Sequence, residues 1–297
     1  MAQRKLAVGA AGSLVLAVAL FCAVTHNRAQ GGAKETEVAK PASATNARAI
    51  DAPQVTPVEK SGWQRADTNS ASVSFASLYS QAESGDIVAQ RELAGIYERC
   101  AFYSQSPSTF NETVRSLARD RGAEAGAYDE ILVRYKATCS AVDGGQRIPS
   151  EAYKLWYEQA AKGGDTVSRM RLAASNSATL TDRDFQGLAR DAANTADPEA
   201  IFALGNLLSL APESADLGDF REISKGPYMA LAWGIAACRQ GADCRPGSPR
   251  MDEICIAAGV CGPLDFEEGV RHDLVPQGQV AILEKNIRDI QGVLGRN

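Results

Sequence analysis

A chain of 297 residues with 45% hydrophobic and 23% charged side chains holds enough apolar material for a full-sized core, in one larger or two smaller domains. Its formal net charge of −5, with no basic stripe, excludes a surface built to neutralise nucleic-acid phosphates. Lys and Arg are instead scattered among acids, as on an ordinary solvated surface.

The chain opens with Arg4 and Lys5 (residues 1–5) before an uncharged run from Leu6 to Val24. As a helix that run spans roughly 28 Å at about 1.5 Å per residue, close to the hydrocarbon thickness of a bilayer. Residues 6–25 therefore read as a transmembrane anchor, with a cleaved signal segment as the alternative. The one clean match to a cleavage site, Ala17-Val18-Ala19, lies inside the apolar run. Residues 26–72 are poor in large aliphatics and carry Pro41, Pro53 and Pro57, so they are expected to form a disordered tether. A flexible tether of that length reaches on the order of 35 to 40 Å.

From residue 73 to 297 the pattern is helical and repetitive. Tyr79 and Ala82 precede Asp86, which is followed by Leu93-Ala94. Trp156, Tyr157, Ala160 and Ala161 precede a Gly163-Gly164 turn and Asp165, which is followed by Leu172-Ala173. A third copy places Asp197 before Leu204-Gly205, and a fourth half-copy carries Trp233, Ala236, Ala237 and Gly241. Small residues on one helix face let a paired helix approach, an aromatic fills the wedge between hairpins, and Asp caps the second helix. Asp86 and Asp165 are 79 residues apart but Asp165 and Asp197 only 32, so about one unit is expected to be degenerate or replaced between the first two copies.

The pattern A-x-x-W-Y-x-x-A-A-x-x-G, followed by a short helix with L-[AG], resembles the Sel1-like repeat, a relative of the tetratricopeptide repeat. The resemblance is best over 151–173, weaker at 75–98 and 185–209, and half a unit at 227–241. It implies an all-α fold of α/α hairpins, an irregular solenoid, and an adaptor role towards other proteins of a bacterial envelope. The family's G-x-G-V loop is missing, which favours an irregular helical domain over a regular groove.

Two more helices are predicted near Ser108 to Arg119 and Ala125 to Cys139. Cys100 and Cys139 both end helices, so a bridge between them would tie this segment to the first hairpin. Cys238, Cys244, Cys255 and Cys261 form two pairs with five intervening residues each. Sequential pairing closes two short loops, although six cysteines allow 15 connectivities. A zinc site is the alternative, but structural sites typically place two to four residues between paired ligands. The segment ACRQGADCRPGSPRMDEICIAAGVCG also resembles an uncharacterised element of exported proteins in xanthomonad-type bacteria. Six thiols beyond an export-type segment fit disulfides on the periplasmic side of an inner membrane, or in a secreted form.

A helix over 277–294, with Val280, Leu283, Ile287, Ile290 and Leu294 on one stripe, is placed to cap the last hairpin. Chemistry is harder to find. With only His26 and His272, no two-histidine metal site or H-E-x-x-H exists in the body. There is no G-x-S-x-G, P-loop, dinucleotide fingerprint or Ser-x-x-Lys. No catalytic residue, metal or cofactor is expected. The expected function is a non-enzymatic adaptor binding an envelope protein or peptide. The alternatives are a hydrolase or glycan-binding enzyme using carboxylates such as Asp182 with Asp184 or Glu267 with Glu268, and a purely structural spacer.

Overall fold

The computed structural model describes residues 68–121, 125–195, 197–262 and 264–295. The apolar run at 6–25 and the tether up to residue 67 lie outside them. Among the described residues no helix is long and apolar enough to cross a membrane. They form helices and turns, without a strand. The helices are α1 (Thr68–Glu83), α2 (Ile87–Gln105), α3 (Pro107–Arg121), α4 (Ala125–Ala141), α5 (Ala152–Lys162), α6 (Thr166–Ser175), α7 (Asp182–Ala193), α8 (Pro198–Ser209), α9 (Met229–Arg239), α10 (Pro249–Ala258), α11 (Phe266–Gly269) and α12 (Val280–Leu294). Helix α1 begins at Thr68, five residues inside the segment read as tether.

Hairpins α1–α2, α5–α6 and α7–α8 share one local design. Gly85 and Gly164 take positive φ of 96° and 99°, a conformation open to glycine, and so turn the chain into the next residue. That residue is Asp86 or Asp165, whose carboxylate accepts the backbone N–H of Ala89 at 2.9 Å or Ser168 at 2.7 Å. Asp197 does the same for Glu199 at 2.9 Å. Each bond satisfies one of the amides left open at a helix start. The residue three positions after each Asp is small and buried: Ala89, Ser168 and Ala200 are 3%, 0% and 0% exposed. The first turn of each second helix can therefore lie close against its neighbour.

The order of packing departs from the order of sequence in two places. Helix α2 lies directly along α5, although α3 and α4 intervene in the chain. Helix α4 covers α1 and α2 from the other side, and α3 packs on α4. The segment between the first two copies is thus an inserted hairpin beside the stack, not a degenerate unit within it. At the far end, α10 does not pair with α9. Helix α12 takes that place through Leu283, Ile287 and Ile290, each 0% exposed, and so covers the last hairpin. Asn286 donates to the Pro227 carbonyl at 2.7 Å, and Tyr228 to Gln279 at 2.6 Å, which fixes how α12 lies.

Helix α10 crosses instead to the inserted hairpin. Arg134 of α4 grips Asp252 through two bonds, at 2.6 and 3.0 Å, and the Tyr128 hydroxyl donates to the Cys255 carbonyl at 3.2 Å. Two apolar cores result. One gathers Leu93, Tyr97, Phe110, Val114, Tyr128 and Ile131 with Cys255; the other runs from Met170 and Phe185 through Leu204 and Trp233 to Ile290. Three disulfides brace the ends of helices: Cys100–Cys139, Cys238–Cys244 and Cys255–Cys261, with sulfurs 1.96, 1.94 and 1.94 Å apart. The two C-terminal bridges are the sequential pairs.

Candidate functional site

The residues singled out for packing divide by depth. Ala82, Tyr157, Ala160, Leu204, Trp233, Ala236 and Ala237 are buried, whereas Tyr79, Trp156, Ala161 and Leu172 are half-buried. Tyr79 and Trp156 meet edge to face at 5.7 Å, joining α1 to α5. In α6 the fully buried position falls to Met170 rather than Leu172. Trp233 lies against Gly205, where an added Cβ would stand 2.4 Å from the indole-bearing Cβ, and its Nε1 donates to the Ile223 carbonyl at 2.7 Å. Tyr157 and Trp233 are thereby enclosed by neighbouring helices, while Tyr79 and Trp156 keep part of their surface in solvent.

Of the charges considered for acid–base work, one member of each pair is spoken for. Asp184 closes a capping box with Thr181 at the start of α7, and Glu267 is gripped by Arg239 and Arg271. His272 is exposed and contacts only its neighbour Asp273 at 2.7 Å. Among the described residues no cluster of three or more His, Cys, Asp or Glu could hold a metal ion.

A different set of charges converges between α10 and the stack. Ser248 caps α10, its hydroxyl accepting the Met251 amide, and Arg250 and Glu253 follow one turn apart on one helix face. Arg250 is nearly buried. Its Nη2 donates to Glu199 of α8 at 2.7 Å, its guanidinium lies 3.9 Å over the Phe202 ring, and its Nη1 donates to Cys244 Sγ at 3.3 Å. From α2 comes Glu98, which accepts the Tyr157 hydroxyl at 2.9 Å, and from α6 comes Arg171.

Glu253 has an exposed side chain, yet desolvation by surrounding protein pushes its carboxyl up against the pull of Arg99, Arg171 and Arg250. It stands in a recess that is open to solvent and walled by protein. Arg171 is held up: desolvation alone would lower it, and Tyr157, Glu98, Glu253 and Glu199 outweigh that. Tyr157 is pushed up by burial first and by Glu98 second. Arg250 is lowered by burial, with Glu199 and Glu253 opposing. Among the described residues neither the Arg171 nor the Glu253 side chain makes a hydrogen bond or ion pair.

A depression over the Cys100–Cys139 bridge, lined by Arg99, Tyr135 and Thr138, encloses essentially no volume. Small-molecule pockets typically hold roughly 300–1,000 Å³. The recess of Arg171 and Glu253 is separate from that depression, which neither residue lines. Its members were missed in the sequence because isolated Arg and Glu read as solvated charge. The one available signal was the one-turn spacing of Arg250 and Glu253 in α10.

Comparison with known proteins returns no match: no family model, curated protein or solved structure is significantly similar to this chain.

Proposed function

We propose that the chain is a non-enzymatic helical-repeat adaptor that takes a polar segment of another envelope protein in the recess between α10 and helices α2, α6 and α8. The observation that carries this reading is the pair Arg171 and Glu253: opposite charges from different elements, each without a direct partner among the described residues. Charges fixed by a folded scaffold and left without a hydrogen bond are prepared to bond a ligand's own charges or backbone dipoles. Export to an oxidising compartment, with the apolar run as anchor or signal, is supported by the three disulfides.

The test places a photo-crosslinking residue at position 253 or at the exposed position 158, in the full chain in envelope extract. A partner captured from 253, not from 158, and lost in R171E supports the adaptor. Identical products from both positions, or none, removes it and leaves the structural spacer. A second reading, an envelope hydrolase, draws on Glu253 alone, because a carboxyl raised by desolvation suits a general acid. Turnover of cell-wall glycan fragments by the native chain and not by E253Q would favour it; no turnover by either would discard it.

A further inference from the structure

The three disulfides differ in how their sulfurs meet solvent and charge. Cys100 and Cys139 are 1% and 3% exposed, so neither sulfur of that bridge is open to attack. In each short bridge one sulfur is buried, Cys244 or Cys255, and the other, Cys238 or Cys261, is half-buried. An incoming thiolate thus reaches Cys238 or Cys261, and the departing thiolate forms on Cys244 or Cys255. The surroundings of those two leaving sulfurs are opposite. Cys244 Sγ already accepts a hydrogen bond from Arg250 Nη1 at 3.3 Å, and arginine stays charged under all ordinary conditions. Cys255 lies in the apolar core under the inserted hairpin, in the last turn of α10, where the helix presents its negative end.

We propose that Cys238–Cys244 is a thiol-exchange site of this protein, opened by an external dithiol that attacks Cys238 and expels Cys244 as a thiolate bound to Arg250. The attacking thiolate forms a bond to Cys238 Sγ while the Cys238–Cys244 bond breaks and its electron pair goes to Cys244 Sγ. The second thiol of the dithiol then displaces Cys238, whose thiolate takes a proton from water. The dithiol leaves as a disulfide, having supplied both electrons. Position favours the same direction twice. Cys238 sits at the negative C-terminal end of α9, which disfavours a thiolate there, and the guanidinium beside Cys244 favours one. Exchange is faster when the leaving thiol has the lower pKa. Because Arg250 is also bonded to Glu199 and stacked on Phe202, opening the bridge is transmitted to the wall of the recess.

The test treats the full chain with reduced glutathione at neutral pH, alkylates the remaining thiols, and maps adducts by mass spectrometry over time. The expected first product carries glutathione on Cys238 and an alkylated Cys244, with the other two bridges intact. A first adduct on Cys244, or first opening at Cys255–Cys261 or Cys100–Cys139, would overturn the proposal. In R250Q, opening of Cys238–Cys244 should slow about tenfold relative to Cys255–Cys261 in the same sample, and R250K should restore part of the rate. The internal bridge registers any general loosening of the variant. An unchanged ratio in R250Q counts against the proposal even if the domain is destabilised.

Discussion

The Arg91 guanidinium, carried by α2, lies 3.0 Å from the carboxylate of Asp165, the N-cap of α6, and also pairs with Asp197, the N-cap of α8. One side chain of the first hairpin thereby holds the starting points of the next two. Burial alone would lower the arginine, and the two aspartates more than offset that. R91M should cost about 3 kcal/mol in urea unfolding, since it leaves the 8%-exposed Asp165 side chain with a charge and no cation. D86A removes a cap that serves no such pair and should cost only about 1 kcal/mol. Equal losses would show that Arg91 adds nothing beyond capping.

Helix α10 is held to the inserted hairpin by Arg134 and Asp252, whose side chains are 12% and 2% exposed. R134A takes from the buried Asp252 carboxylate its bidentate arginine and should lower stability by about 3 kcal/mol. The double variant R134M/D252L removes both charges and should recover most of that loss. A double variant as unstable as the single would mean that the pair's geometry, not its charge, holds α10.

Two effects oppose each other at Gly205. Alanine is favoured over glycine inside a helix by about 1 kcal/mol. Its Cβ, however, would sit 2.4 Å from the Trp233 Cβ and 2.6 Å from Cγ, so α8 and α9 must separate. Overpacking of this kind costs up to about 3 kcal/mol, and the net loss should be about 2. Calorimetry that found G205A more stable than the native chain would show that the helices part freely.

The bridges should rank by the length of chain they close. Cys100–Cys139 spans 39 residues and each C-terminal bridge spans 6. Loop-closure entropy assigns about 4 kcal/mol to the first and about 2 to each of the others. Denaturant titration of C100A/C139A against C238A/C244A checks the order.

Glu253 gives a pH signature. Its raised carboxyl means that the fold prefers the protonated form. That preference is complete below the ordinary glutamate range and is lost as pH rises through the raised value. E253Q should therefore match the native chain near pH 4 and exceed it at pH 7. The gain should stay below about 1 kcal/mol, because solvent reaches the carboxyl. A gain that grows towards acid would reverse the assignment.

What could be read from the sequence was what is decided within a few residues. Asp86, Asp165 and Asp197 announce helix starts because the bond each accepts comes from a residue two or three positions on. The two short cysteine pairs, six residues apart, followed for the same reason. The extra helices α3 and α4 were legible, but their place beside α1 and α2, and the departure of α10, were not, because period and spacing describe one helix at a time. Which helix lies beside α2 is settled by side chains dozens of residues away. The recess suffered doubly: its residues come from five helices, and each alone looks like surface.

Stacked hairpins with two open ends come apart from whichever end is weaker. In this chain α10, from late in the sequence, is bonded through Asp252 and the Cys255 carbonyl to α4, beside the first hairpin. Fraying of α10 therefore pulls on the N-terminal core, and the two cannot loosen separately. Amide exchange should accordingly be shared evenly by α2, α8 and α10 instead of falling away towards the ends, and melting should proceed as one event rather than hairpin by hairpin.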